Sequence, residues 1–104
     1  MRRYASQRLL DADTGLLLSY QAVEINAAGE VTSITAFSQE LPYTLWSDGL
    51  LLISSMPVTL HPCETFASFS SRLRHSCGKP HLYVITPFDL HRMEFTPSSR
   101  IIVL

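Results

Sequence analysis

A chain of 104 residues has room for one hydrophobic core, so the sequence predicts a single β-rich domain over residues 1–104. Hydrophobic residues make up 46% of the chain and charged residues 16%, a balance that excludes intrinsic disorder. The formal net charge is -1 and the basic residues are scattered, which excludes the basic stripe typical of a nucleic-acid-binding protein.

The first ten residues contain no apolar run of the kind found in a secretory signal. No stretch approaches the roughly 20 apolar residues that a membrane-spanning helix requires. We therefore expect a soluble, cytoplasmic protein with no membrane or nucleic-acid partner. In that compartment Cys63 and Cys77 are expected to be free thiols.

Residues 1–60 are predicted to consist mainly of strands. A first strand over 3–10 leads into an Asp-containing turn, and the next two strands form a hairpin around the turn at Gly29. The alternation at Val23 and Ile25 and the β-branched sequence VTSIT favour this hairpin.

Two short apolar segments follow this hairpin. The apolar run 50–53 has the length of a buried strand and is too short for a helix. Residues 58–61 lie between two prolines, which favours an edge or irregular strand.

Residues 64–76 form the only predicted helix. Phe66, Phe69 and Leu73, with Ala67 beside them, fall at helical spacing on one face, and Gly78 ends the helix. The C-terminal strands, over residues 81–104, are predicted as a strand over 81–86, a turn at 87–89, a short strand around Met93 and Phe95, and a final strand over 100–104. Together these elements predict a mainly β fold, either a small β-sandwich or an open barrel of about six to eight short strands with one short α-helix.

The first third of the chain follows an order of strand, Asp-containing turn, strand, Val-x-Ile, Gly turn and Val-x-x-Ile. The residues concerned are Leu9, Leu10, Asp11, Gly15, Val23, Ile25, Gly29, Val31 and Ile34. This order resembles the N-terminal segment of the amidohydrolase superfamily, and the C-terminal sequence MEFTPSSRIIVL is similar to the family's returning strands. In that family these strands form a small β-sandwich, the composite domain, beside a catalytic barrel. The resemblance therefore implies a composite domain without its barrel.

The family's metal-binding His-x-His pair is not matched in this sequence. If His61 takes the place of the second histidine, Thr59 stands at the first, and a hydroxyl is a poor ligand for a catalytic divalent ion. A catalytic (β/α)₈ barrel also needs roughly 200 residues or more. We therefore expect no enzyme activity, no catalytic residue and no cofactor, and instead a structural or protein-association role, with homodimerisation through exposed strand edges as one form of it.

The histidines and cysteines leave a metal site open as an alternative. A His-x-Cys pattern occurs twice and a further histidine follows it; the residues are His61, Cys63, His75, Cys77 and His81. Four such ligands would suit zinc, but structural zinc pairs use wider spacings, so ordinary loop and helix-end roles are favoured.

The aromatic residues Tyr43, Trp46, Phe66 and Phe69 suggest three further interpretations. Packing of the helix on a sheet is favoured, because large aromatic side chains dominate small cores. The alternatives are a partner surface that exposes Trp46, and a small-ligand pocket lined by Phe66, Phe69 and Trp46.

Overall fold

The computed structural model describes residues 2–38, 43–61, 64–73 and 78–104. Within them, seven strands form one open sheet and a single short helix packs against it. The elements are β1 (Arg2–Asp11), β2 (Leu16–Ile25), β3 (Val31–Ala36), β4 (Thr44–Ser47), β5 (Leu50–Ser54), α1 (Phe66–Arg72), β6 (His81–Asp89) and β7 (Glu94–Val103). The predicted fold class, mainly β with six to eight short strands and one short helix, is confirmed.

β1 lies near the middle of the sheet, whose strand order is β3-β2-β1-β5-β6-β7. Its N-terminal half pairs in parallel with β4 and its C-terminal half pairs in parallel with β5. Between β4 and β5 the hydroxyl of Ser6 donates a hydrogen bond of 2.6 Å to the carbonyl oxygen of Gly49. This buried bond holds β1 against the junction of the two short strands.

Both faces of the sheet are covered, which explains why all five residues of β5 are buried. Alternate side chains of a strand point to opposite faces. Leu50 and Leu52 therefore belong to a first cluster, which α1 covers with Phe69, and Leu51 and Ile53 belong to a second.

The β2–β3 hairpin curls over the second face of the sheet. Val23 and Val31 of this hairpin pack in the same cluster as Leu82 of β6. A bridge between Glu30 and His81 joins the hairpin to the start of β6. The curl therefore buries the second face without a second sheet.

The helix is shorter at its start than the predicted range 64–76. It begins at Phe66 because Thr65 has an extended backbone and caps the helix, its hydroxyl accepting a bond from the Ser68 amide. Phe69 and Leu73 are buried as predicted, but Ala67 is exposed. Residues 74–76 of the predicted helix lie outside the described residues.

The predicted turn at 87–89 is wrong, because β6 continues to Asp89 and pairs there with Glu94. The turn lies at 90–93, where the Asp89 carboxylate accepts bonds from the amides of His91 and Arg92. Pro87 is tolerated because the register shifts between Thr86 and Phe88.

The two predicted C-terminal strands, around Met93 and Phe95 and over 100–104, are one strand, β7. The predicted strand over 58–61 is also wrong, and those residues form a loop. Two carbonyl groups of this loop accept hydrogen bonds from residues near the helix. The Thr59 carbonyl oxygen accepts from the Arg72 guanidinium, and the His61 carbonyl oxygen accepts from the Glu64 amide.

Candidate functional site

The outer edge of β3 is the most exposed strand edge in the described residues. β2 is the only strand that pairs with β3, and five of the six residues of β3 are exposed. At the start of β3 the Val31 amide donates to the Pro80 carbonyl oxygen at 2.9 Å, so the edge is open only beyond that residue. Its sequence, VTSITA, has no charge and no proline. Natural edge strands are usually protected from further pairing by charged residues, proline or bulges.

The opposite edge of the sheet, β7, carries those protections. Pro97 lies within the strand and cannot donate a ladder hydrogen bond, and Glu94 and Arg100 place charges along it. The two edges therefore differ in kind: β7 carries proline and charge along its length, whereas the register shift of β3 lies at Thr32 and the segment from Ser33 to Ala36 carries no such protection.

The backbone groups of β3 that face outward follow from its pairing with β2. The Phe37 amide donates to the Tyr20 carbonyl oxygen at 2.7 Å, which fixes the phase of the ladder. Because bonding directions alternate along an antiparallel strand, Ser33 and Thr35 point their backbone groups toward β2. The N–H and C=O groups of Ile34 and Ala36 consequently point to the open edge, and the alternation ends at Thr32, where the register of the two strands shifts.

The charges beside this edge are already paired within the chain. Glu24 of β2 lies 2.8 Å from the Arg3 guanidinium, and Glu30 lies 3.6 Å from the Lys79 ammonium. A hydrogen bond from Asn26, together with the charge of Lys79, lowers the pKa of the Glu30 carboxyl below its ordinary value. The edge is therefore electrically neutral along its length.

Three aromatic side chains form a patch on the face of the sheet beside β3. This aromatic patch consists of Tyr20, Phe37 and Trp46, with ring centroids 5.4 Å apart for Phe37 and Trp46 and 6.3 Å apart for Tyr20 and Trp46. Tyr20 is 53% exposed and Trp46 is 48% exposed. The interpretation of Trp46 and Tyr43 as core residues is therefore wrong, because both side chains are exposed.

Phe69 is buried in the core as predicted, and Phe66 packs half-buried against it. Both side chains belong to α1, and both rings contact Phe95. Trp46 forms its aromatic contacts with Tyr20 and Phe37 instead. The predicted pocket lined jointly by Phe66, Phe69 and Trp46 is therefore wrong as a set.

A groove of about 1000 Å³ does lie beside α1, between the helix start and the β6–β7 hairpin. Phe66 and Phe95 line its apolar floor, and His61 and Arg92 line its wall. The Glu64 carboxylate also lines it, but both of its oxygens accept bonds from Arg72. That bond with Arg72 is the main reason that the pKa of the Glu64 carboxyl is below its ordinary value.

The five histidines and cysteines considered for zinc are only partly described. His61 lies on the wall of the groove, and His81 begins β6 opposite Ser54. Cys63, His75 and Cys77 lie outside the described residues. Among the residues that the structure does describe, no three His, Cys, Asp or Glu side chains are grouped closely enough to hold a metal ion. The zinc hypothesis stays a prediction.

Comparison of the chain with protein-family models, with curated proteins and with solved structures returned no match. No helix among the described residues is long and apolar enough to cross a membrane. The sequence gives one signal for the β3 edge that strand prediction alone does not use: residues 31–38, VTSITAFS, contain no charge and no proline.

Proposed function

We propose that the protein is a non-catalytic protein-association module that binds by accepting an additional strand at the β3 edge. The observation that carries this proposal is the uncharged and exposed edge of β3 from Ser33 to Ala36, in a sheet whose opposite edge carries Pro97 and charged residues. The resemblance to the composite domain of amidohydrolases and the cytoplasmic location stay predictions, and both are compatible with an association role.

The energetics favour a reversible interaction. An added strand gives the outward groups of Ile34 and Ala36 protein partners in place of water, and each such bond contributes roughly 0.5–1.5 kcal/mol net. Ile34 is 38% exposed, so pairing also removes apolar surface from water. These gains are offset by the loss of rotational and translational freedom on association.

A labelled peptide with the sequence of residues 30–38 tests whether the edge accepts a strand. We expect the fluorescence anisotropy of the peptide to rise on titration with the protein. Ile34→Lys places a charge on the edge and is expected to weaken binding at least tenfold. Ile102→Lys is the matched control, since Ile102 is 43% exposed and lies on β7.

Binding that is equally strong for wild type and Ile34→Lys would show that the peptide does not bind at β3. Absence of binding to wild type at several hundred micromolar, on the order of the weakest specific associations, would contradict strand addition itself.

Small-ligand binding is a second candidate function, favoured by the groove beside α1. Its volume of about 1000 Å³ is within the range of small-molecule sites, and the rings of Phe66 and Phe95 give it a preformed apolar floor. A thermal-shift screen of small apolar compounds tests this function. A compound that stabilises wild type should lose its effect in Ala67→Trp, which fills the groove, and keep it in Ser71→Trp, which substitutes an exposed helix position.

A further inference from the structure

We infer that the strand accepted at the β3 edge carries an aromatic side chain opposite Thr35, and that this side chain packs against the ring of Phe37. The inference rests on the proposed function and names the kind of partner that the edge accepts. That partner is an extended, uncharged protein segment with an aromatic residue on the side that faces the aromatic patch.

Thr35 lies on the same face of the sheet as the aromatic patch. One row of paired residues crosses the sheet from β3 to β4: Thr35, Ala22, Ala5 and Trp46. Residues that pair directly across neighbouring strands point their side chains to the same face. Because the Trp46 ring contacts that of Phe37, Phe37 also lies on this face, two residues beyond Thr35.

The edge end of this row is open. β2 and β1 lie between β3 and β4, so three strand spacings, about 14 Å along the sheet, separate the two outer strands. The ring centroids of Phe37 and Trp46 are nevertheless 5.4 Å apart, so the rings extend toward each other above Ala22 and Ala5, which are buried. Thr35 is exposed, which leaves the surface beside Phe37 free for a side chain from an added strand.

The backbone of β3 places the partner's side chain at this surface. Ile34 and Ala36 point their N–H and C=O groups outward, so an antiparallel partner forms hydrogen-bonded pairs with them and a non-hydrogen-bonded pair with Thr35. Residues in a non-hydrogen-bonded pair have Cα atoms about 4.5 Å apart, and their side chains approach closely. A large side chain there covers Thr35 and reaches Phe37, its diagonal neighbour.

The chemistry of this surface favours an uncharged ring. Aromatic side chains attract one another beyond the effect of apolar burial when they meet edge to face or offset, and Trp46 already holds the Phe37 ring in place. In the adjacent row of the same face, Arg3 and Glu24 are paired with each other at 2.8 Å, so they do not call for a charged partner.

Fluorescence anisotropy with two labelled host peptides tests the inference. The host sequence, Lys-Thr-Val-X-Val-Thr-Lys, reads the same in both directions, so X meets the same residue of β3 whichever way the peptide binds. Leu at X supplies apolar area without a ring and is the reference for Phe at X. We expect the Phe peptide to bind the wild-type chain roughly two- to tenfold more tightly, the ratio that an aromatic pair contributes.

Phe37→Leu removes the ring from the protein and keeps an apolar side chain, so it should bind the two peptides equally. Tyr43→Leu is the matched control. Tyr43 is 96% exposed and makes no ring contact with another residue that the structure describes, so its loss should leave the preference for the Phe peptide unchanged.

The outcomes separate the inference from the function on which it rests. Equal binding of the two host peptides to wild type, or a preference that persists in Phe37→Leu, overturns the inference and leaves strand addition standing. A Phe peptide that binds Ile34→Lys as tightly as wild type also overturns it, because the ring would then bind without the strand. If neither host peptide nor the peptide of residues 30–38 binds wild type, the proposed function fails together with the inference.

Discussion

At the scale of single residues, Gly49 is the position where packing leaves least room. A Cβ atom there would collide with the Ile85 carbonyl oxygen and would lie 3.0 Å from a methyl group of Val84. Gly49→Ala must therefore displace backbone in the centre of the sheet, and we expect it to lower the free energy of unfolding by about 2 kcal/mol or more.

Urea unfolding measures that change, and Gly78→Ala is its control. A Cβ at Gly78 meets no atom within 4 Å, so only the backbone conformation, with φ at +82°, opposes the substitution. We expect Gly78→Ala to lower the free energy of unfolding by about 1 kcal/mol. If Gly49→Ala lowered the free energy of unfolding no more than Gly78→Ala does, the close approach of β6 to Gly49 would be disproved.

The Glu64–Arg72 ion pair makes stability depend on acid pH. Arg72 donates from two nitrogens to the two oxygens of Glu64, at 2.9 and 2.7 Å, and the Glu64 side chain is only 7% exposed. These bonds lower the pKa of the Glu64 carboxyl below its ordinary value of 4.5. The carboxyl therefore binds its proton less tightly in the folded state than in the unfolded state. The stabilisation is therefore complete above the unfolded pKa and is lost as pH falls through the folded pKa.

Glu64→Gln removes that dependence while keeping the shape of the side chain. We expect it to lower the free energy of unfolding by about 1 kcal/mol at pH 7, and to flatten the decline in stability between about pH 5 and pH 3. Urea unfolding at each pH measures both effects. Glu94→Gln, an exposed carboxylate on β7, should keep the slope of wild type; an unchanged slope in Glu64→Gln would refute the assignment.

At the scale of elements, α1 depends on its N-terminal cap because it has only seven residues. The Thr65 hydroxyl accepts a bond from the Ser68 amide at 3.2 Å, one of the few bonds that holds the first turn. Thr65→Ala should lower the free energy of unfolding by about 1 kcal/mol. Thr65→Ser keeps the capping hydroxyl and should keep most of the stabilisation that the cap provides. Equal stability of the two variants in urea would show that the cap contributes nothing.

Strands with apolar alternation and turns with Gly or Asp were predictable from the sequence, and β1, β2, β3 and β5 are found where these signals place them. Two of the errors, in β6 and β7, occur where proline was taken to end a strand. Pro87 and Pro97 lie within β6 and β7, because a register shift and an open edge remove the need for their missing N–H groups. Such tolerance depends on neighbouring strands, which the local sequence does not specify.

β4 was missed for a related reason. Its four residues are mostly exposed, and they form a strand because β1 offers them a parallel partner. The parallel partner is 40 or so positions earlier in the chain, and residues this far apart leave no periodic signal. The exposure of Trp46 follows from the same pairing, which places its ring beside Phe37 on the outer face.

The sequence predicts that the fold has an exposed strand edge, but it does not predict which strand forms that edge. Exposed strand edges follow from a mainly β fold of this length, so dimerisation through an edge was expected from the sequence. Which edge is open depends on the strand order, and nothing in residues 31–38 states that β2 and not another strand is their sole neighbour in the described residues. The lack of charge along VTSITAFS indicates an edge that can accept another strand only once β3 is known to lie at the edge of the sheet.

At the scale of the whole molecule, the curl of one sheet supplies two cores, and β3 lies at the end of the strand order. α1 covers the first cluster and the β2–β3 hairpin covers the second, so the hairpin is anchored by buried residues such as Val23 and Ile25. The bridge from Glu30 to His81 fixes the tip of the hairpin. The open edge of β3 is thus held rigidly, which reduces the entropy lost when a strand is added.

Homodimerisation through an exposed strand edge, which the sequence leads us to expect, predicts that thermal stability depends on protein concentration. If only the folded chain pairs, mass action stabilises it as concentration rises above the dissociation constant. We expect the unfolding midpoint of wild type to rise by about 4–8 °C for each kcal/mol gained, given the small size of the domain. Differential scanning calorimetry from about 5 µM to 500 µM, on the order of the range in which weak specific associations form, measures this rise. The midpoint of Ile34→Lys should stay constant over the same range and that of Ile102→Lys should rise; a constant midpoint in wild type would contradict coupling between folding and pairing.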